Sequence, residues 1–89
     1  MELPEDVVTD LTRRLRRVEG QVRGIQQMLA EGRECREVVA QVSAATKALE
    51  QVGFKLLVTG LTACLDDPRT AAESGFDLDE VEKLFLKLA

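Results

Sequence analysis

Two cysteines are the residues best suited to chemistry in this chain of 89 residues, which contains no histidine. Cys35 and Cys64 stand 29 residues apart in a segment that reads as one long helix. That spacing is about eight turns, so both sulfurs project from nearly the same face, about 43 Å of helix rise apart. Two copies of the helix, antiparallel about an axis near Leu49 and Glu50, would bring each Cys35 opposite the Cys64 of the other copy. The spacing therefore predicts a thiol site that exists only in a dimer.

The types of residue around this pair limit its chemistry. In a reducing cytosol a cysteine pair is more often catalytic, redox-sensing or metal-binding than a structural disulfide, although two small buried hydrophobic residues are the plain alternative. Without histidine, the metal sites left open are a two-thiolate Cu(I) site and a thiolate and carboxylate Zn site. We predict no cofactor, with Cu(I) as the alternative. The chain also lacks a CxxC pair, a glycine-rich phosphate loop and a Ser, His and Asp set, so we expect no enzyme.

The two thiols are expected to differ in reactivity. Cys35 falls in the first turn of its helix, where the helix dipole and the neighbouring Arg33 and Arg36 favour a thiolate, against two nearby glutamates. Cys64 falls in the last turn beside residues 66 and 67, both aspartates, which disfavour one. We predict that Cys35 is the attacking sulfur and that Cys64 of the other subunit is the resolving sulfur.

Charge is distributed unevenly along the chain. The formal net charge is −4, which argues against a uniformly basic nucleic-acid binder. Between residues 11 and 25, however, a single acid, Glu19, accompanies five arginines: Arg13, Arg14, Arg16, Arg17 and Arg23. A solvated helix face is the ordinary meaning of such charges, but this stripe, duplicated by oligomerisation, also fits DNA phosphates. Lys47 and Lys55 extend the predicted DNA-binding surface.

The pattern of apolar residues predicts an all-α fold in one domain, residues 1–89. A heptad seam marks helix one, about 5–31: Leu11, Leu15, Val18, Val22, Ile25 and Leu29. Helix two is predicted at about 34–66, followed by a loop at 68–76 and a short helix three at about 77–88. Gly53 and Gly60 within helix two are read as permitting close helix approach or a slight bend. Because the apolar faces are too wide for a monomer, two hairpins should pair into a four-helix bundle.

The beginning of the chain, residues 1–6, is acidic rather than basic and apolar, unlike a secretory signal. No stretch reads as approaching the roughly 20 apolar residues needed to cross a bilayer. We therefore expect a cytoplasmic protein with no membrane partner.

A longer motif carries a family resemblance. The run from Arg14 to Ile25, Arg-Leu-Arg-Arg-Val-Glu-Gly-Gln-Val-Arg-Gly-Ile, with Cys35, Leu61 and Cys64 further on, resembles the CsoR/RcnR family of bacterial transcriptional repressors. The resemblance implies a dimer of antiparallel helical hairpins, usually paired into a tetramer, that binds operator DNA without a helix-turn-helix. An inducer at the intersubunit site would release the DNA.

The resemblance also bears on the inducer. Copper-sensing members combine a cysteine matching Cys35 with a histidine and a cysteine of the partner subunit, and these fall at Gly60 and Cys64. Without the imidazole, the chain is more similar to the CstR branch, whose members respond to reactive sulfur species by crosslinking the two cysteines. The predicted function is thus a persulfide-sensing repressor acting through Cys35 and Cys64. A Cu(I) or other soft-metal repressor using the same thiols and a structural helical dimer with inert thiols are the alternatives.

Overall fold

The computed structural model describes residues 2–89, and these residues form four α-helices and no strand. Helix α1 is Glu5–Ala30, α2 is Cys35–Asp66, α3 is Pro68–Glu73 and α4 is Leu78–Leu88. The all-α class is confirmed. The chain divides into two compact units, residues 5–52 and residues 2–4 together with 53–89, and α2 contributes to both.

The end of α1 is set by Gly32. Its φ of 70° is the left-handed conformation that glycine adopts without steric cost. The amide of Arg33 donates to the carbonyl of Met28 at 3.0 Å, and that of Gly32 donates to Leu29 at 3.2 Å. These bonds satisfy carbonyls left free at the helix end, as in a Schellman motif, and α1 ends close to the predicted end at about residue 31.

In the unit formed by residues 5–52, the chain buries only part of the predicted seam of α1. Leu11 and Val18 are buried, whereas Leu15, Val22 and Leu29 remain 41%, 43% and 64% exposed. The buried and exposed residues alternate along the heptad because they lie on two adjacent flanks of the helix. An apolar flank is thus left uncovered within a single chain.

The other unit has a small core in which α3 and α4 contribute to covering the C-terminal part of α2. Cys64, Ala71 and Val81 form its buried cluster, and Phe76 packs against them. The Phe54 and Phe85 rings lie 6.2 Å apart, centroid to centroid, with an angle of 57° between their planes. Asp77 caps α4 by accepting a hydrogen bond from the amide of Glu80 at 3.0 Å, at the start predicted for helix three, about residue 77.

The predicted loop at 68–76 is wrong in its first part, because residues 68–73 form α3. Asp67 is its N-cap: the side chain accepts hydrogen bonds from the amide of Thr70 at 3.3 Å and from its hydroxyl at 2.6 Å. Pro68 occupies the first turn, where its fixed φ suits a helix and its missing N–H costs nothing. The proline that ends α2 therefore also starts the next helix.

Helix α2 corrects the expectation about apolar length. By length and composition, this helix could cross a membrane. Most of its apolar stretch is not buried within the single chain. Exposed apolar side chains run along it, including Val39, Leu49 and Val58. The core helix of a bundle that packs against further helices meets the same criteria of length and composition.

Candidate thiol site and basic surface

Cys35 is the first residue of α2 and is exposed. The amides of Glu37 and Val38 both donate to the carbonyl of Glu34, which places Cys35 at the start of the helical hydrogen-bond pattern. The sulfur therefore belongs to the helix end whose free amides favour negative charge. Reagents in solution have direct access to it.

Arg33, two residues before Cys35, forms ion pairs with two nearby glutamates. Arg33 Nε donates to Glu37 Oε2 at 2.9 Å, and its Nη1 lies 3.4 Å from Glu31 Oε2. The hydrogen bond that Arg33 donates to Glu37 raises the pKa of the Arg33 guanidinium, with a smaller contribution from Glu31. Two carboxylates therefore already engage this cation, so little of its charge is left for other groups.

Cys64 lies in the opposite environment, near the end of α2 and only 4% exposed. Its S–H donates to the backbone carbonyl of Phe76, with Sγ and O 2.9 Å apart. The residue also lines a surface cavity of about 320 Å³ bounded by Pro68, Leu78 and Asp79 among others. Cys64 is therefore a packed thiol beside a cavity wall.

The ring of Phe76 packs directly against the backbone of Gly60, which lies one turn before Cys64. A Cβ at position 60 would lie 2.9 Å from Phe76 Cζ and closer still to Cε1. At Gly53 the approaching group is the side chain of Leu88, 2.8 Å from such a Cβ. The expected close helix approach is thus found at Gly53, whose neighbour Leu88 belongs to α4, whereas the neighbour of Gly60 is Phe76, which lies between α3 and α4. A glycine inside a long apolar helix was the only signal of this in the sequence.

The donor set for a metal is small. Both cysteines belong to the single helix α2, 29 residues apart, so a site that uses both sulfurs takes them from two copies. Across residues 2–89, no three side chains of His, Cys, Asp or Glu converge in a way that could hold a metal ion. Two thiolates are soft ligands, which is the chemistry that Cu(I) selects. The residues fit a Cu(I) site shared between subunits better than a three- or four-ligand site within one chain.

The predicted DNA-binding arginines fall into two groups. Asp10 accepts from Arg13 Nη2 and from Arg14 Nε, each at 3.0 Å. The Arg13 hydrogen bond is the main cause that lowers the pKa of Asp10. These two arginines and Arg17 line a groove of about 280 Å³ with Gln51. This partial neutralisation was readable from the i, i+3 and i, i+4 spacing, but the sequence analysis missed it.

The remaining basic residues carry no such partner. Within the described part of the chain, Arg16, Arg17 and Arg23 make no ion pair, and all three are exposed. Lys47 and Lys55 are exposed on α2. They remain predicted phosphate contacts.

The chain is similar to known transcriptional repressors. The profile of a family described as metal-sensitive transcriptional repressors matches residues 8–87. The copper-sensing transcriptional repressor RicR of Mycobacterium tuberculosis is 49% identical over 63 residues, 71% of this chain and 64% of the relative, so the match spans less than two thirds of that protein. The copper-sensing transcriptional repressor CsoR of Bacillus subtilis is 35% identical over 77 residues, 86% of this chain and 76% of the relative.

A solved structure is also similar. The crystal structure of the copper-sensing repressor CsoR with Cu(I) from Geobacillus thermodenitrificans matches with a TM-score of 0.74 and 32% identity, over 96% of this chain and 85% of that one. The family and both relatives are transcriptional repressors rather than enzymes, which confirms that expectation.

These findings overturn the prediction that no metal is involved. Both relatives are copper-sensing, and the similar structure was crystallised with Cu(I), which contradicts the predicted absence of a cofactor. The preference for reactive sulfur over copper came from the missing histidine alone. The relatives favour what the sequence analysis held as its alternative.

Proposed function

We propose that this chain, which belongs to the family of metal-sensitive transcriptional repressors, is a copper-responsive repressor that binds operator DNA and releases it when Cu(I) binds. The observation that carries the proposal is the donor set: two thiols at the two ends of one helix, with no histidine beside them. Copper-sensing relatives supply the identity of the metal. A repressor acts where the DNA is, so we place the protein in the cytoplasm.

The site needs a second copy of the chain. Exposed apolar residues on α1 and α2, among them Leu15, Val22 and Leu49, form faces that a partner subunit would bury. An antiparallel arrangement of two α2 helices would place Cys35 of one subunit opposite Cys64 of the other. A dimer is therefore the minimal functional unit, and a dimer of dimers would double the DNA-binding surface.

Cu(I) would be held by the sulfurs of Cys35 and the partner's Cys64, each giving up its thiol proton to solvent. Bound copper supplies a bond between subunits that a weak S–H donor does not. The exposed Cys35 offers the entry point, and the packed Cys64 supplies the coupling to the fold.

DNA binding is assigned to the exposed basic residues: Arg13, Arg14, Arg16, Arg17, Arg23, Lys47 and Lys55. Phosphate contacts of this kind set affinity and its dependence on salt rather than base preference. Arg16, Arg17 and Arg23 should contribute most, because Asp10 partly neutralises Arg13 and Arg14.

The test combines metal and DNA binding. With DNA from the protein's own promoter region, Cu(I) should raise the dissociation constant of the wild type, whereas Zn(II) should have less effect. Cys35→Ser and Cys64→Ser should each keep DNA binding but lose release by Cu(I). Unchanged Cu(I) affinity in both variants, or no effect of Cu(I) on wild-type DNA binding, would refute the proposal.

Reactive sulfur is the second candidate, and one observation favours it: the chain has no histidine to accompany the two thiols, and the Phe76 ring fills the space beside Gly60. The Cys35 thiolate would attack the outer sulfur of a low-molecular-weight persulfide, forming a Cys35 persulfide and releasing the small thiol. The thiolate of the partner's Cys64 would then attack the inner sulfur, forming an intersubunit disulfide and releasing hydrosulfide. Both steps balance without a further oxidant.

Intact-mass measurement separates the two candidates. After treatment with glutathione persulfide, denatured wild-type protein should run as a covalent dimer if sulfur is the inducer, and Cys35→Ser should not. If persulfide leaves the chains monomeric while Cu(I) still releases DNA, only the copper proposal stands.

A further inference from the structure

We propose that Phe76 is a positioning residue that shields the Cys64 sulfur and transmits its occupation by the inducer to α4 and the N-terminal segment. The inference rests on the proposed role of Cys64 as an inducer ligand.

The backbone of Phe76 is fastened on both sides. Its amide donates to the carbonyl of Ala71 at 2.9 Å, and its carbonyl accepts from the Cys64 thiol at 2.9 Å. Gly75, with a φ of 76°, reverses the chain immediately before it. The segment between α3 and α4 is therefore attached to α2 through one cysteine sulfur.

The side chain of Phe76 also holds this segment against α2, through contacts of its ring. It lies against the bare backbone of Gly60, so close that any Cβ there would collide with ring carbons. It packs on the cluster of Cys64, Ala71 and Val81. Cys64 is only 4% exposed, although it lines the cavity of about 320 Å³ described above, whose wall does not include Phe76. Phe76 is part of the packing that shields the sulfur.

Occupation of Sγ disturbs this arrangement in two ways. A copper ion or a second sulfur atom on Sγ takes the place of the hydrogen that is donated to the Phe76 carbonyl, so the carbonyl loses its partner. The added atom also needs room in a packed site, and close-packed groups respond by moving as a unit. Phe76 is therefore expected to shift when the inducer is held there, because its carbonyl no longer accepts the thiol hydrogen.

Two neighbouring parts of the chain would move with it. Asp77, the next residue, is the N-cap of α4, so a shift of Phe76 reaches the start of that helix. Phe76 also shares the wall of a cavity of about 280 Å³ with Leu3, Leu56 and Leu84. Leu3 lies two residues before the first residue of α1, the helix that carries the arginines proposed for DNA binding. The N-terminal segment is thus positioned to respond to the state of Cys64.

The first experiment needs no metal and compares the reactivity of Cys64 with that of Cys35 in the same protein. Full-length, reduced protein is treated with iodoacetamide, and the alkylation rates of Cys35 and Cys64 are followed by peptide mass spectrometry. Wild-type Cys64 should react much more slowly than Cys35. Phe76→Ala removes the ring but keeps the carbonyl that accepts from the Cys64 thiol, and it should accelerate Cys64 by about tenfold or more, a factor well within the free energy lost when a packed phenylalanine is truncated. Phe76→Leu, which restores apolar volume, should react at an intermediate rate.

Phe85→Ala is the matched control, because it removes the other aromatic ring supplied by the C-terminal segment, one that packs on Phe54. It should leave the Cys64 rate unchanged. Equal rates for the two wild-type cysteines, or a Phe76→Ala rate equal to that of the wild type, would overturn the inference. If Phe76→Ala proves unfolded by circular dichroism, the Phe76→Leu rate decides instead.

The second experiment follows the N-terminal segment. Because the chain has no tryptophan or tyrosine, Leu3→Trp introduces a single fluorophore beside Phe76. Cu(I) should shift its emission maximum to longer wavelength as the cavity opens. Leu86→Trp, at a residue that is 65% exposed, should show no shift.

Failure of this inference differs from failure of the proposed function. If Cu(I) releases DNA while the Leu3→Trp emission maximum stays fixed, the transmission through Phe76 is refuted and the repressor proposal stands. If Cu(I) has no effect on DNA binding, the repressor proposal fails, and the alkylation rates still decide whether Phe76 shields Cys64.

Discussion

The fit between Gly60 and Phe76 can be tested with a single methyl group. Alanine at position 60 would place its Cβ 2.9 Å from Phe76 Cζ and nearer to Cε1, closer than side-chain carbons normally approach. Gly20 in α1 is the matched control, because a Cβ there meets nothing within 4 Å. Both substitutions lie inside long helices and have the same chemistry, so their difference reports the contact with the ring.

The expected magnitude comes from two opposing effects. Replacing glycine by alanine inside a helix stabilises it by about 1 kcal/mol. Forcing a methyl group into a filled site costs about 1–3 kcal/mol. Gly20→Ala should therefore stabilise the chain by about 1 kcal/mol, whereas Gly60→Ala should be neutral or destabilising by up to about 2 kcal/mol. Gly53→Ala should fall between them, because the group it meets is the flexible end of Leu88.

Urea unfolding followed by circular dichroism measures these differences, at one protomer concentration because association contributes to stability. A difference of about 2 kcal/mol between Gly60→Ala and Gly20→Ala separates their midpoints by about 1–2 M. Combining Gly60→Ala with Phe76→Leu should recover part of the loss, since the smaller side chain makes room. If Gly60→Ala stabilises the chain as much as Gly20→Ala does, the ring does not occupy that space and the reasoning is wrong.

Two further predictions concern exposed carboxylates. Asp10→Asn should release Arg13 and Arg14, tightening DNA binding and steepening the slope of log affinity against log salt by up to about 0.9 per arginine that gains a phosphate; an unchanged slope would exclude those arginines from the interface. The hydrogen bonds from Thr70 lower the pKa of Asp67, so its capping contribution is present above the ordinary value of 3.8 and is lost as the pH falls below it. The urea midpoint of the wild type should therefore fall more steeply in acid than that of Asp67→Asn, which keeps a cap that does not titrate. Parallel pH profiles would contradict this.

The bounds of the three long helices could be predicted from signals within a few residues of each helix end. The predicted helices at about 5–31, 34–66 and 77–88 compare with Glu5–Ala30, Cys35–Asp66 and Leu78–Leu88. Periodicity and end signals act within a few residues, so they can be read directly. The same kind of signal was present for α3 but was read as a loop, because a proline after an aspartate pair was taken only as a stop.

The inducer shows the limit of an argument from one missing residue. The absence of histidine was a correct observation, but it led us to predict no cofactor and to keep Cu(I) only as the alternative, and the copper-sensing relatives contradict that preference. Two thiolates remain adequate ligands for Cu(I), as the alternative had stated. The absence of histidine limits which ligands can hold a metal ion, but it does not prevent two thiolates from binding Cu(I).

By itself, the sequence determined the helical class, the family motif and the spacing of Cys35 and Cys64, because each depends on residue types at fixed intervals along the chain. Only the tertiary structure decided that Cys64 is packed and bonded to Phe76, that the ring rests on Gly60, and that part of the α1 seam remains uncovered. These features join residues up to 16 positions apart or depend on which flank of a helix is covered. Such contacts are set by how helices pack, and periodicity along one helix does not contain that information.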